Sequence, residues 1–350
     1  MRTKYVVLAV AIATAVIGGT IGLQNYHSSA DPEKPPPAPP AAPFLVAADA
    51  HGSVVFDLSR EVILGYDRAG KLAWQDEAMA KNAYITCVAA CPDVVASGSL
   101  SDQGPEARQA TIVRADGRFA TRPAADADVV LLQRDDRNRV VLERRLEGTF
   151  LASYQKGKLT QRLAMANPRM PRIAPGSAGS MVIASRAGSS ATVYFVARSG
   201  TGWTIKELAD RGASGGCTGP ASSAVVYPDR AVVVDQSSGR KQTVQQDHIG
   251  TCHVAGDGLL AETTSVGPSG HRSLVRYWDV RSGTGWTMEG TETVNASLDP
   301  SGTRAVVVQG TVATIRAGAD QQVIQDVVDA RYAEDGSLVL LHADATVTRR

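Results

Sequence analysis

What the sequence most plainly lacks is charge of one sign. Its 36 basic and 35 acidic residues leave a formal charge of +1 over 350 residues. Nucleic-acid binders carry a clustered basic excess, so that class is excluded. Aromatic residues make up only 5%, a thin supply for a tight protein-binding hot spot built on Trp and Tyr. No cysteine precedes Cys87, which excludes a lipid anchor on an amino-terminal thiol. Beyond Pro43 no long amphipathic helical pattern occurs, so strands are left to build the fold. Charged residues are 20% against 43% apolar, which allows a sizeable core and excludes global disorder. The runs Arg134-Asp135-Asp136-Arg137-Asn138-Arg139 and Glu143-Arg144-Arg145 mix signs and read as solvated strand faces and turns.

One long apolar run is present, at the start. Residues 1–4 carry Arg2 and Lys4, and Tyr5 to Leu23 then runs nineteen residues without a charge. As a helix that run spans roughly 28 Å, close to the ~30 Å hydrocarbon core of a bilayer. The flanking positive charges favour a cytoplasmic amino terminus, so everything after residue 23 is expected on the extracytoplasmic side of a single-pass membrane protein. A cleaved signal peptide is the alternative, with Ser28-Ser29-Ala30 offering small residues at a cleavage point; the apolar run exceeds the usual h-region. Gly18 and Gly22 have the spacing that packs membrane helices together. Residues 24–43 form a linker, and its last part, Asp31 to Pro43, reads DPEKPPPAPPAAP. Proline fixes φ and removes amide donors, so this stretch neither pairs nor coils into a helix. It is expected to extend about 40 Å as a polyproline spacer, with a docking site for a proline-recognition domain as the rival reading.

Residues 44–350 are read as one all-β domain. Short β-branched runs recur, among them Val54-Val55-Phe56, Val62-Ile63-Leu64, Val129-Val130-Leu131-Leu132, Val232-Val233-Val234, Val306-Val307-Val308 and Leu338-Val339-Leu340-Leu341. Each is bounded by turn residues. Glycine turns recur at Gly70, Gly117, Gly157, Gly200, Gly239, Gly283 and Gly318, with spacings of 47, 40, 43, 39, 44 and 35. Their mean of about 41 matches the ~40–45 residues of a four-stranded propeller blade. Ala197-Arg198-Ser199-Gly200-Thr201-Gly202-Trp203-Thr204 nearly repeats as Val280-Arg281-Ser282-Gly283-Thr284-Gly285-Trp286-Thr287, 83 residues or two blades later. A β-propeller follows, seven-bladed by the turn count, with eight blades open. The carboxyl terminus is expected to complete a blade with strands near Phe44 to Leu58, and two β-sandwich domains are the alternative fold.

Two families share pieces of this pattern. Asp67-Arg68-Ala69-Gly70-Lys71-Leu72-Ala73-Trp74 resembles the turn of the quinoprotein-type (PQQ-like) propeller repeat. Tyr277-Trp278-Asp279-Val280 resembles the end of the third strand of a WD40 repeat, and Asp299-Pro300-Ser301-Gly302 resembles turns in both. The resemblance implies propeller architecture. Quinoprotein dehydrogenases pair adjacent cysteines at their cofactor; here Cys87 and Cys91 stand three residues apart, so no cofactor is expected.

The cysteines allow three pairings. The most local joins Cys87 to Cys91 and Cys217 to Cys252, the latter tying one blade to the next. His248, Cys252 and His253 with Cys217 contain zinc-ligand types, but strand alternation puts Cys252 and His253 on opposite faces, so no metal is expected. Gly212-Ala213-Ser214-Gly215-Gly216 matches the nucleophile-elbow pattern without the helix it needs, and reads as a flexible loop. His51, His271 and His342 stand alone near turns. Asp257, Asp299 and Asp335 sit in glycine turns where their side chains bond the local backbone. Asn295-Ala296-Ser297 is a formal glycosylation acceptor without supporting context.

The reading that results is a membrane-tethered extracytoplasmic propeller that binds an envelope protein or a glycan through loops gathered from several blades, and is not an enzyme. An extracytoplasmic hydrolase or lyase at the channel mouth is the alternative. A purely structural envelope component is a third.

Overall fold

A computed structural model describes residues 42–350 except 78–83, 90–93, 99–109, 114–118, 123–127, 135–137, 146, 166–171, 176–178, 186–190, 200–201, 209–211, 220, 236–237, 247–248, 268–269 and 293. The membrane segment, the linker up to residue 41, His248, Cys91 and the side chain of Cys87 lie outside the described residues.

Strands and turns account for the described chain. Among the described residues thirty-one strands form eight antiparallel sheets, each built from consecutive strands in sequence order. Seven sheets have four strands; the eighth has three, Asp329–Tyr332, Leu338–Leu341 and Val347–Arg349. First strands touch first strands. Phe44–Ala48 meets Tyr84–Ala89 on one side and Asp329–Tyr332 on the other, while Gly215–Thr218 meets Thr251–Ala255, which meets Val294–Leu298. The sheets therefore stand around an axis and close into a β-propeller, with fourth strands at the perimeter.

This placement explains the local sequence. Second strands lie within a sheet and between two neighbouring sheets, so Ser222–Val226 is buried at every position. Such strands read as unbroken apolar runs because both faces are covered. The perimeter strand Lys241–Gln245 alternates exposed and half-buried positions instead. The seven glycine turns all fall between the third and fourth strands of the first seven sheets. Among the described residues the eighth sheet has no fourth strand, hence no such turn, and counting turns undercounts the sheets by one. The Arg198–Trp203 and Arg281–Trp286 repeats are these same hairpins, two sheets apart. Tyr277-Trp278-Asp279 ends the third strand of the sixth sheet, Gly270–Asp279.

Among the described residues the ring closes without sharing a strand, contrary to the expectation for the carboxyl terminus. Residues 44–57 pair within the first sheet, and the last residues form the eighth. Side chains join the two. Leu45, Val55, Leu64 and Tyr66 pack with Val339, Leu341, Ala345 and Val347 in one core. Leu45 N donates to Asp329 Oδ2 at 2.7 Å, Tyr66 Oη to the Ala345 carbonyl at 2.6 Å, and Arg331 Nη1 to the Val46 carbonyl at 2.8 Å.

Two faces follow from the strand directions. The amino face is where first strands begin, at Phe44, and it carries the hairpins joining second to third strands. The carboxy face carries the other hairpins and the last residue, Arg350.

Candidate functional site: a polar cleft between the fifth and sixth sheets

The ionisable groups near the axis are held by backbone. In the sixth sheet Glu262 pairs across from Thr251. Its carboxylate accepts Thr251 Oγ1 at 2.8 Å and the Ala296 amide of the seventh sheet at 2.7 Å, with His253 Nε2 at 3.5 Å. Asp329, fully enclosed, accepts the amides of Leu45 and Ala330. Burial pushes its carboxyl above the usual range, against the Arg331 charge and the two amide bonds, and the Glu262 charge adds to the rise. Each carboxylate thus fastens its sheet to the next. Buried charges are tolerated when hydrogen bonds satisfy them.

The paired cysteines do related work. Cys217 on Gly215–Thr218 and Cys252 on Thr251–Ala255 form a disulfide with Cα atoms 5.6 Å apart. It joins the first strands of the fifth and sixth sheets. Cys252 packs in the core between those sheets, while Glu262 and its neighbour His253 face the seventh. The alternation separates the supposed zinc ligands, and the disulfide takes both sulfurs.

The remaining candidates fall into place locally. Ser214 leads into the strand Gly215–Thr218 rather than a loop or a helix, and its amide donates to Val226 O at 2.7 Å. Asp299 accepts the amides of Thr303 and Arg304, and Asp335 that of Ser337. Asp257 instead receives Arg240 at 3.2 Å and Arg281 at 2.6 Å on the carboxy face. His51 is exposed; His342 bonds the Asp326 carbonyl and the Thr348 hydroxyl. Asn295-Ala296-Ser297 lies in the first strand Val294–Leu298, with Asn295 half-buried and Ala296 and Ser297 buried. Glu143 is not solvated: it is buried at 3% and holds Arg145 at 2.9 Å and the Tyr154 hydroxyl.

A concave site lies on the amino face. The second and third strands of the sixth sheet, Gly258–Gly267 and Gly270–Asp279, are ten residues each, whereas those of the fifth, Ser222–Val226 and Arg230–Asp235, have five and six. The longer hairpin overshoots its neighbour and leaves part of its face uncovered. That overhang and the end of the fifth sheet enclose an open cleft of about 810 Å³, lined by Asp229, Gln245, Gln246, Thr263, Thr264, Ser265, Leu274 and Arg276.

The cleft has a rigid frame. Thr263 pairs with Leu274 and Ser265 with Arg272, so these side chains share the face that packs lower down through Leu259, Ala261 and Trp278 against the fifth sheet. The opposite rim is the turn Tyr227–Arg230, closed by Tyr227 N to Arg230 O at 2.7 Å. There Arg230 lies 4.3 Å over the Tyr227 ring and holds Asp229 at 2.9 Å. Arg276 spans the gap and donates to Gln246 Oε1. No sequence motif marks these residues, because they meet only through the unequal lengths of two sheets.

No family model and no curated protein sequence matches the chain. Solved structures do. AztD from Citrobacter koseri aligns at 12% identity over 80% of this chain and 84% of its own, with a TM-score of 0.53. A prolyl endopeptidase aligns at 10% identity over 87% of this chain and 55% of its own, with a TM-score of 0.54. At such identities the likeness shows the fold alone.

Proposed function

We propose that this protein is an eight-bladed propeller, residues 44–350, held on the extracytoplasmic side of a membrane by Tyr5 to Leu23 and the proline-rich linker, and that it binds an envelope ligand on its amino face. The cleft between the fifth and sixth sheets carries this reading. Amide, hydroxyl and guanidinium groups converge there on a frame fixed by strand pairing, while the carboxylates near the axis are committed to holding sheets together. A few placed polar groups in a largely preformed concavity are what a binding site needs.

A photo-crosslinking residue placed at Ser265, exposed on the cleft face, in the full chain in its native membrane tests the reading. Adducts are expected there and not at the perimeter residues Leu159 or Val323, both about half exposed. Adducts spread evenly over all three positions would overturn it.

The second reading, a hydrolase or lyase, has one observation in its favour, the His253–Glu262 pair at 3.5 Å. It requires a turnover that His253→Ala abolishes without disturbing binding at the cleft.

A further inference from the structure

The cleft's chemistry narrows its ligand. We infer that it takes a hydroxyl-rich ligand, a short stretch of oligosaccharide; this rests on the proposed binding at that cleft.

Charge is the first argument. The lining has one carboxylate, Asp229, and one guanidinium, Arg276, so it has no net sign. Nearby charges are settled among themselves: Asp229 with Arg230 at 2.9 Å, and Arg272 with Glu289 at 2.7 Å. With Asp229 held by Arg230 and Glu289 by Arg272, the Arg276 guanidinium, bonded to the neutral Gln246, is the one lining charge left to a ligand, so a cationic group finds no partner there and would leave water without repayment.

The second argument is hydrogen-bond type. Gln246, Thr263 and Ser265, whose side chains face the cleft, each donate and accept. A sugar hydroxyl does the same, and a row of such groups matches one side of a pyranose chain. Leu274 gives the single apolar contact in the lining, enough for the C–H face of one ring.

Shape and backbone argue against a peptide. Strand addition needs several successive outward backbone groups on an exposed edge. Here the sixth sheet's first strand pairs as far as Thr251 with Glu262, and Gly250 N donates to the Glu262 carbonyl at 2.9 Å. Alternation then turns only Thr264 and Val266 outward beyond that strand's end, too short a ledge for a strand. An open cleft of this kind fits a segment of a longer polymer better than an engulfed small molecule.

The test uses the full chain in a detergent without a sugar headgroup, titrated by calorimetry with neutral gluco-, manno-, galacto- and N-acetylglucosamine hexasaccharides and with a glucuronate-containing acidic hexasaccharide. At least one of these hexasaccharides is expected to bind. Ser265 is exposed and Thr263 half-buried on the face that borders the cleft, so Ser265→Ala and Thr263→Val should keep the melting temperature while weakening binding roughly tenfold each. Binding that both variants leave unchanged would overturn the inference. If no hexasaccharide binds but crosslinks still form at Ser265, the saccharide inference fails and the binding site stands. If crosslinks fail there as well, both fall.

Discussion

Gly70 and Gly157 hold the same place in the first and third sheets and have nearly the same backbone, φ +78° and +79°. Their surroundings differ. A Cβ on Gly157 would meet nothing within 4 Å, whereas one on Gly70 would run into the carbonyl of Val347 in the eighth sheet. The pair separates local backbone strain from a contact that closes the ring. Gly157→Ala should cost about 1 kcal/mol from the left-handed conformation alone. Gly70→Ala should cost about 2–4 kcal/mol, since the neighbour that must shift is backbone. Urea unfolding of both variants checks this; equal costs would mean that the Gly70–Val347 approach does not bear on stability. Nothing in the sequence around these two glycines distinguishes them. What differs is a residue 277 positions away from Gly70.

At the scale of strands and hairpins the sequence was far more legible. Turn glycines and apolar runs mark second strands, third strands and the hairpin that follows, because those features depend on neighbours in the chain. The hairpin tryptophans can also be read. Trp74 lies over Gly65 across the strand pair, and Trp203 is buried at 8%. The eighth sheet escaped because its recurring mark, the third turn, is missing. The cleft escaped because strand length beyond the core leaves only polar alternation, as at Thr263 and Ser265. The Cys217–Cys252 pairing could be read from spacing, and it carries a prediction. Its separation of 35 residues gives about 3–4 kcal/mol in the chain-entropy account. Cys252→Ser should lower stability by about that amount, and a reductant should bring the wild-type denaturation midpoint down to the variant's. A midpoint indifferent to reductant would mean that these sulfurs are not joined in solution.

For the whole molecule the decisive junction is between first and eighth sheets, where Asp329 sits. Its carboxyl has a raised pKa in the folded protein because burial disfavours the charge. In the window from its ordinary value near 3.8 up to the folded value, the folded state keeps a proton that the unfolded state has lost. Stability from this group is therefore intact below that window and falls as pH rises through it. Asp329→Asn removes the slope. Plotted against pH, the stability of the wild type relative to Asp329→Asn should decline from pH 4 upward and level off once the folded group has ionised. A difference that grows with pH instead would show that the amide bonds and Arg331 outweigh burial.

The closure has a further consequence in time. The first sheet is complete once Asp76 has been made, but half of its apolar covering, Val339, Leu341 and Val347, comes at the far end of the chain. The intervening 260 or so residues take roughly 15–50 s to synthesise at ~5–20 residues per second. Through that interval Leu45, Val55 and Leu64 present an uncovered face, the point at which a chaperone has most to protect and a truncated chain most to lose.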